Sequence, residues 1–314
     1  MTGFDPEGPP KRSFPRTVSV WFQQIRGPFL VLAMVLVMIG AAVARRDGFW
    51  DWVSFWLLMA GVTAAHAAVN LFNELSDYRT GIDSRTRRTP FSGGSGMMQA
   101  GATSPRSVRA VAYVLLLASA LIGLTFCFRS GWPVLFFMIS GGIAVRYYTS
   151  HLSKLLLGEM ISGITLGTFV VLGVFYSLTR HFTWEAVFIS IPPGILTSLL
   201  LFLNEFPDAE ADRSGGRHHL VIHLGKRKSA FLYSAALVPV YVFLFISPWV
   251  VRAPATVRLS LSTLPFAVGA ATIVLKHFNR FEKMVAAQAL NTAVVILTDL
   301  LIAVGYVLPH KGLP

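Results

Sequence analysis

The sequence predicts an all-α membrane protein: nine transmembrane helices in a bundle, with cytoplasmic cap loops. Three observations carry this. The 314-residue chain is 54% hydrophobic and only 13% charged, against about 25% charged in ordinary soluble domains. Apolar runs recur near the ~20 residues a helix needs to cross a bilayer, the helix being the simplest structure that satisfies its own backbone there. The basic residues behind the net charge of +12 sit in short loops between those runs, which fits membrane topology better than a nucleic-acid groove and excludes nucleic acid as the partner.

The nine runs are 27–44, 52–75, 107–128, 132–149, 155–178, 184–206, 229–251, 258–276 and 285–308. They form a single domain over 27–308, between an N-terminal tail at 1–26 and a short C-terminal tail at 309–314. Trp50, Trp52, Trp132, Trp184 and Trp249 fall at run ends, where amphipathic rings meet the headgroups. Residues 1–26 are basic and Pro-rich without a compact apolar stretch, so they read as a retained cytoplasmic tail rather than a signal peptide. Cys127 is the single cysteine, so no intramolecular disulfide forms.

Lys and Arg fix the expected orientation. Twenty fall on the side of the N-terminal tail and the second, fourth, sixth and eighth loops, and seven on the other. The positive-inside rule places the first set in the cytoplasm. That side also holds the two longest loops, about 31 and 22 residues, a length that in a compact protein points to function or disorder.

These loops open with a pattern written twice. Asn73-Glu74-Leu75-Ser76-Asp77 runs on to Gly81 and Asp83, and Asn204-Glu205-Phe206-Pro207-Asp208 runs on to Asp212. Seven of the fifteen acidic residues lie in these two stretches. Residues four apart share a helix face, so Asn73 and Asp77 project together. Gly81 is an expected helix stop, from beyond which Asp83 reaches back. Asn204, Asp208 and Asp212 align if their helix continues, but Pro207 predicts a break near Phe206.

Carboxylates and Asn carbonyls are hard ligands suited to Mg²⁺, which binds through one or two carboxylates plus substrate phosphates. Arg85, Arg87 and Arg88 follow the first copy, and Arg213 and Arg217 the second. Their planar forks suit phosphate oxygens. The pair therefore describes a receptor for a metal-bridged diphosphate, with Gly93-Gly94-Ser95-Gly96 as further backbone for an anion. A single acidic cluster at a span end is more often a solvated terminus, and the arginines can be simple topology determinants; the duplication argues for the functional reading. His218, His219 and His223 look like metal ligands, but no matching Cys/His set supports a zinc site.

With those motifs in place, the chain resembles the UbiA superfamily of intramembrane prenyltransferases from about Pro28 to Tyr306. Asn70 to Asp83 is similar to the first Asp-rich motif of that family and Asn204 to Asp212 to the second. Gly215 to Gly225 resembles the segment after it, and Tyr148-Thr149, Lys154 and Gly158-Glu159 resemble the fourth loop. Pro90 to Gly96 and the Asp77-to-Asp83 spacing are most similar to the branch that prenylates 1,4-dihydroxy-2-naphthoate in menaquinone synthesis. Glu74 and Glu205 stand where many members have Asp.

The resemblance implies Mg²⁺-dependent transfer of a polyprenyl group from its diphosphate to a small aromatic acceptor, in a bacterial or archaeal cell membrane. It implies metal held by Asn73, Asp77, Asp83, Asn204, Asp208 and Asp212. Arg88, Arg217 and Lys154, with Asn73 and Asn204, would hold the diphosphate. Asp77, Asp208, Tyr148 and Lys154 would serve catalysis, with Tyr147 or Tyr148 facing the allylic cation. Other acceptors stay open, among them 4-hydroxybenzoate and a glycerol-phosphate lipid precursor, as does a terpene cyclase that uses none. A transporter would place ionisable residues deep in its spans, and apart from Asp299 and Glu159 acids are absent there.

Overall fold

The computed structural model describes residues 14–82, 86–147 and 158–308. Its helices, in chain order, are α1 (Phe14–Gln24), α2 (Leu30–Arg46), α3 (Trp52–Thr80), α4 (Pro105–Ser130), α5 (Pro133–Tyr147) and α6 (Gly158–Thr179). They continue as α7 (Trp184–Ser214), α8 (Leu220–Leu224), α9 (Lys226–Val250), α10 (Leu264–His277, after a 3-10 turn from Ala255) and α11 (Phe281–Val307). Among the described residues eight helices are long and apolar enough to cross a membrane. The protein is an integral membrane protein. The remaining expected span, 132–149, is the apolar α5, whose 15 residues extend about 22 Å, short of the ~30 Å hydrocarbon core.

Burial sorts the helices. α2 is apolar along nearly its whole length and most of its residues are buried, among them Leu36, Val37, Ile39 and Ala44, with a narrow exposed stripe at Val31 and Met34, so it is an interior helix rather than an amphipathic one. It packs on α3, α6 and α11, while α7 packs on α6, α9 and α11. α4 exposes Val114, Leu117 and Leu121, the surface an outer helix presents to lipid.

Local chemistry sets the helix ends. Asp51 caps α3, accepting from the Ser54 N–H at 2.8 Å, and its hydrogen bonds from Ser54 hold its carboxyl below the usual range. Gly81 ends α3 in the left-handed region at φ 72°, the expected stop. Ser104 and Ser107 cap α4 reciprocally. The expected break near Phe206 does not occur: α7 runs unbroken from Trp184 to Ser214 through Pro192, Pro193 and Pro207. Proline removes one intrahelical hydrogen bond, and here the turns around it are held by packing, with Leu203, Phe206 and Ala209 all buried. Asn204, Asp208 and Asp212 therefore keep one face.

α6 contains a π-helical stretch, Gly163–Thr168. There it approaches α7 so closely that a Cβ at Gly163 would collide with Ser198 Oγ and the Gly194 carbonyl, a contact only glycine allows. Ser198 Oγ donates to the Glu159 carbonyl at 2.7 Å, which fixes the start of α6 beside α7.

One end of the bundle gathers the connections that carry Trp50, Trp132, Trp184 and Trp249. Arg46 pairs there with Glu185 and donates to the Arg252 carbonyl at 2.6 Å. The opposite end gathers the C-terminus of α3, the loop 86–104, the C-terminus of α7 and α8. Both acidic motifs lie at that end.

Candidate active site

The loop after α3 is tied down by Glu74, which is buried. Its Oε1 accepts the Ser95 N–H at 2.5 Å, and its Oε2 accepts the Ser95 hydroxyl at 2.6 Å and Gln24 Nε2 at 3.0 Å. Gln24 Oε1 in turn accepts from Thr103 Oγ1 at 2.5 Å. The N-terminal segment is thus part of the site's wall. Asn70 Nδ2 donates to the Ile25 carbonyl at 2.9 Å, and Arg26 donates to the Phe91 carbonyl at 2.8 Å.

The two motifs meet through Arg217. Its guanidinium pairs with Asp77 on α3 and, at 2.8 Å, with Asp212 Oδ1 on α7. The second Asp212 oxygen lies 3.2 Å from His219 Nε2. Asp208 takes a long hydrogen bond, 3.4 Å, from the Ser92 hydroxyl. Asn204 Oδ1 is buried with no hydrogen-bond partner among the described residues. A carbonyl oxygen left so costs free energy unless a donor or cation meets it. Together with carboxylate neighbours, that orphan acceptor makes an all-oxygen donor set that fits Mg²⁺.

The structure brings Asp77 and Asp212 together through Arg217; Asn73 lies one turn before Asp77 on α3, and Asp208 and Asn204 lie one and two turns before Asp212 on α7. Arg88 is exposed, its guanidinium against the Gly96 backbone. Arg87 is turned away toward α11, over the Phe281 ring and 3.3 Å from Glu282, and Arg213 reaches the Ile222 carbonyl. Tyr147, at the end of α5, lies under the Arg146 guanidinium. Asp83, Arg85, Tyr148 and Lys154 lie outside the described residues.

Below the motifs an apolar groove of about 200 Å³ opens between α2, α3, α4, α5 and α6, lined by Leu58, His66, Leu116, Phe137, Val145 and Phe169 among others. His66, Asn70, Asn73 and Asp77 are spaced 4, 3 and 4 along α3 and so share a face. The polar end of the groove therefore lies about 10 Å along the helix from Asn73. The motifs do not mark His66, for which the spacing back from Asn73 is the signal. Ser95 belongs to the run read as backbone for an anion, and its N–H meets the Glu74 carboxylate.

A polytopic α-bundle with two acidic helix ends joined by a guanidinium, and an apolar groove along one of those helices, fits an intramembrane prenyltransferase. The chain belongs to the UbiA prenyltransferase family, whose profile matches residues 33–295. It is 27% identical to the 2-carboxy-1,4-naphthoquinone phytyltransferase of Synechocystis, over 98% of each chain. To the 1,4-dihydroxy-2-naphthoate octaprenyltransferase of Bacillus subtilis it is also 27% identical, over 73% of this chain and 76% of that one. In fold it is similar to a UbiA homologue from Aeropyrum pernix, with a TM-score of 0.69 at 17% identity over 88% of this chain and 98% of that one. A homologue from Archaeoglobus fulgidus bound to DMAPP and Mg²⁺ aligns with a TM-score of 0.58 at 12% identity over 90% and 99% of the two chains.

Proposed function

We propose that this prenyltransferase transfers a polyprenyl group from an allylic polyprenyl diphosphate to 1,4-dihydroxy-2-naphthoate or a closely similar aromatic acceptor. The observation that carries the reading is the pairing of Asp77 and Asp212, one from each acidic motif, through Arg217, with an apolar groove further along α3. The names of the Synechocystis and Bacillus relatives support a naphthalene-ring acceptor, and the description of the Archaeoglobus homologue supports a prenyl diphosphate with Mg²⁺.

Asn73, Asp77, Asn204, Asp208 and Asp212, with Asp83, are the residues that would hold Mg²⁺. When bound it neutralises the diphosphate and so makes it a better leaving group. Arg217, now shared between Asp77 and Asp212, offers its planar fork to the phosphate oxygens; Arg88 and Lys154 are the further cations proposed for that role. The groove takes the prenyl tail, each buried CH₂ contributing about 0.8 kcal/mol. Its apolar walls also keep water from the cation left when the allylic C–O bond ionises. Tyr147 and Tyr148 are the aromatic faces proposed for that cation. An electron-rich ring carbon of the acceptor then attacks and loses its proton or carboxyl group. The basic loops support a cytoplasmic motif end, in a bacterial or archaeal cell.

The test is Mg²⁺-dependent diphosphate release by Asp77→Ala and Asp208→Ala, each measured separately. Each is expected to lose at least about 10²-fold, the scale of removing one group that stabilises developing charge. Full activity in either variant overturns the two-motif site. Mass spectrometry of the product formed from farnesyl or longer diphosphates and a panel of aromatic acceptors tests the acceptor, and a 4-hydroxybenzoate adduct alone would overturn the naphthoate reading.

A further inference from the structure

One cluster is not used by the proposed transfer reaction. Glu159 at the start of α6, Glu205 on α7 and His219 before α8 converge behind the second motif, each offering one ligand atom within 4.8 Å of the others. All three are buried, with 3%, 9% and 3% of their surface exposed. Glu159 Oε1 accepts the Leu220 N–H at 2.8 Å. Its Oε2, Glu205 Oε2 and His219 Nδ1 have no hydrogen-bond partner among the described residues. His219 Nδ1 stands 3.3 Å from Glu205 Oε2, yet the pair is not aligned as a hydrogen bond.

Three acceptor atoms facing one another in a closed space repel unless a proton or a metal cation lies among them. Arg217, the cation that contacts Asp212, is engaged with Asp77 and Asp212. The other imidazole nitrogen, Nε2, is 3.2 Å from Asp212 Oδ2. A carboxylate in that place holds the proton on Nε2 and turns the Nδ1 lone pair inward, as it does for metal-bound histidines. In place of the Cys/His set whose absence argues against zinc in the sequence, two glutamates from the neighbouring helices α6 and α7 join one histidine.

We propose that Glu159, Glu205 and His219 form a second divalent-cation site, separate from the diphosphate site, that takes Zn²⁺. Two carboxylate oxygens and one imidazole nitrogen make a donor set of borderline softness, which favours Zn²⁺ over the all-oxygen preference of Mg²⁺. A water completes four ligands. The ion ties the start of α6 to α7 and to the entry of α8, and through His219 it fixes Asp212. Its role is structural: it holds the second motif in register.

The test uses the full-length protein in detergent, stripped with chelator and dialysed against limiting Zn²⁺ in excess Mg²⁺, with bound zinc read by elemental mass spectrometry. One equivalent of Zn²⁺ per chain is expected. Glu159→Gln and His219→Ala should each lose it, and Asp212→Asn should weaken retention by about 10–100-fold, the usual effect of removing an outer-shell partner. Asp208→Asn should keep the zinc while losing diphosphate release, so the two sites fail separately. X-ray absorption at the zinc edge should show a nitrogen/oxygen shell with imidazole scattering. Less than about 0.1 equivalent in the wild type, or an unchanged equivalent in both folded Glu159→Gln and His219→Ala, overturns the site. If His219→Ala does not fold, the isosteric Glu159→Gln decides.

Discussion

The two copies of Asn-Glu-x-x-Asp end up with their glutamates in opposite states. Glu74 in the first copy accepts hydrogen bonds from the Ser95 N–H, the Ser95 hydroxyl and Gln24. Glu205 in the second copy presents an oxygen with no hydrogen-bond partner among the described residues to Glu159 and to His219, whose Nδ1 lies 3.3 Å away. A repeated pattern has therefore produced one clamp and one carboxylate that faces other acceptors. The first copy spends its glutamate on building the cap loop and anchoring the N-terminal segment; the second keeps its own facing other acceptors. The aspartates differ in the same sense, since Asp212 has both oxygens engaged while Asp208 has, among the described residues, one long hydrogen bond from Ser92.

The copies meet at Arg217, and the largest effect is expected there. Asp212 is almost fully buried, and Asp77 mostly so. Arg217→Met leaves both carboxylates facing each other without their shared cation, so unfolding in detergent should come earlier by about 3 kcal/mol of stability. Arg217→Lys should recover only part of it, because an ammonium is a point charge and cannot fork between two carboxylates. Thermal unfolding of the three proteins side by side checks this. Equal stability of all three would mean the halves are not joined through Arg217.

The glutamates themselves give the next comparison. Glu74→Gln turns one of its acceptor oxygens into an NH₂ group facing donors, and should cost about 1.5–3 kcal/mol for the charge-assisted hydrogen bonds lost. Glu205→Gln, in chelator-treated protein, places an NH₂ donor among orphan acceptors and should change stability by less than about 1 kcal/mol, or raise it. Losses of equal size in both variants would show that the two copies are equivalent, against the geometry described above.

The apolar runs made the bundle legible, because each span must bury or present to lipid nearly every residue it has. The aspartates were legible for a different reason: helical spacing puts residues four apart on one face whatever surrounds them. Pro207 misled the reading of α7, since the cost of a lost hydrogen bond is local but the packing of Leu203, Phe206 and Ala209 that outweighs it is not. Gln24 was hidden inside what read as a tail, and its partner Glu74 lies 50 residues away. Glu159, Glu205 and His219 could not be assembled from sequence at all. They come from three different elements, and only the close α6–α7 crossing at Gly163 and Gly194 brings the first two together.

The smallest expected effect separates the serines that face the two motifs. Ser95 Oγ donates to Glu74 at 2.6 Å, and Ser95→Ala should cost about 1–2 kcal/mol, with the backbone N–H still holding the other oxygen. Ser92 Oγ reaches Asp208 at 3.4 Å and also has Thr89 Oγ1 at 3.1 Å. A bond that long contributes little, so Ser92→Ala should change stability by less than about 0.5 kcal/mol and diphosphate release by less than twofold. Urea-induced unfolding of the pair in one detergent measures both. If Ser92→Ala costs as much as Ser95→Ala, Asp208 is held as firmly as Glu74, and the second copy does not keep its oxygens free for an incoming cation. If the serines differ as expected, the distinction between a motif that builds the site and a motif left open to ligand holds at the level of single hydroxyl groups.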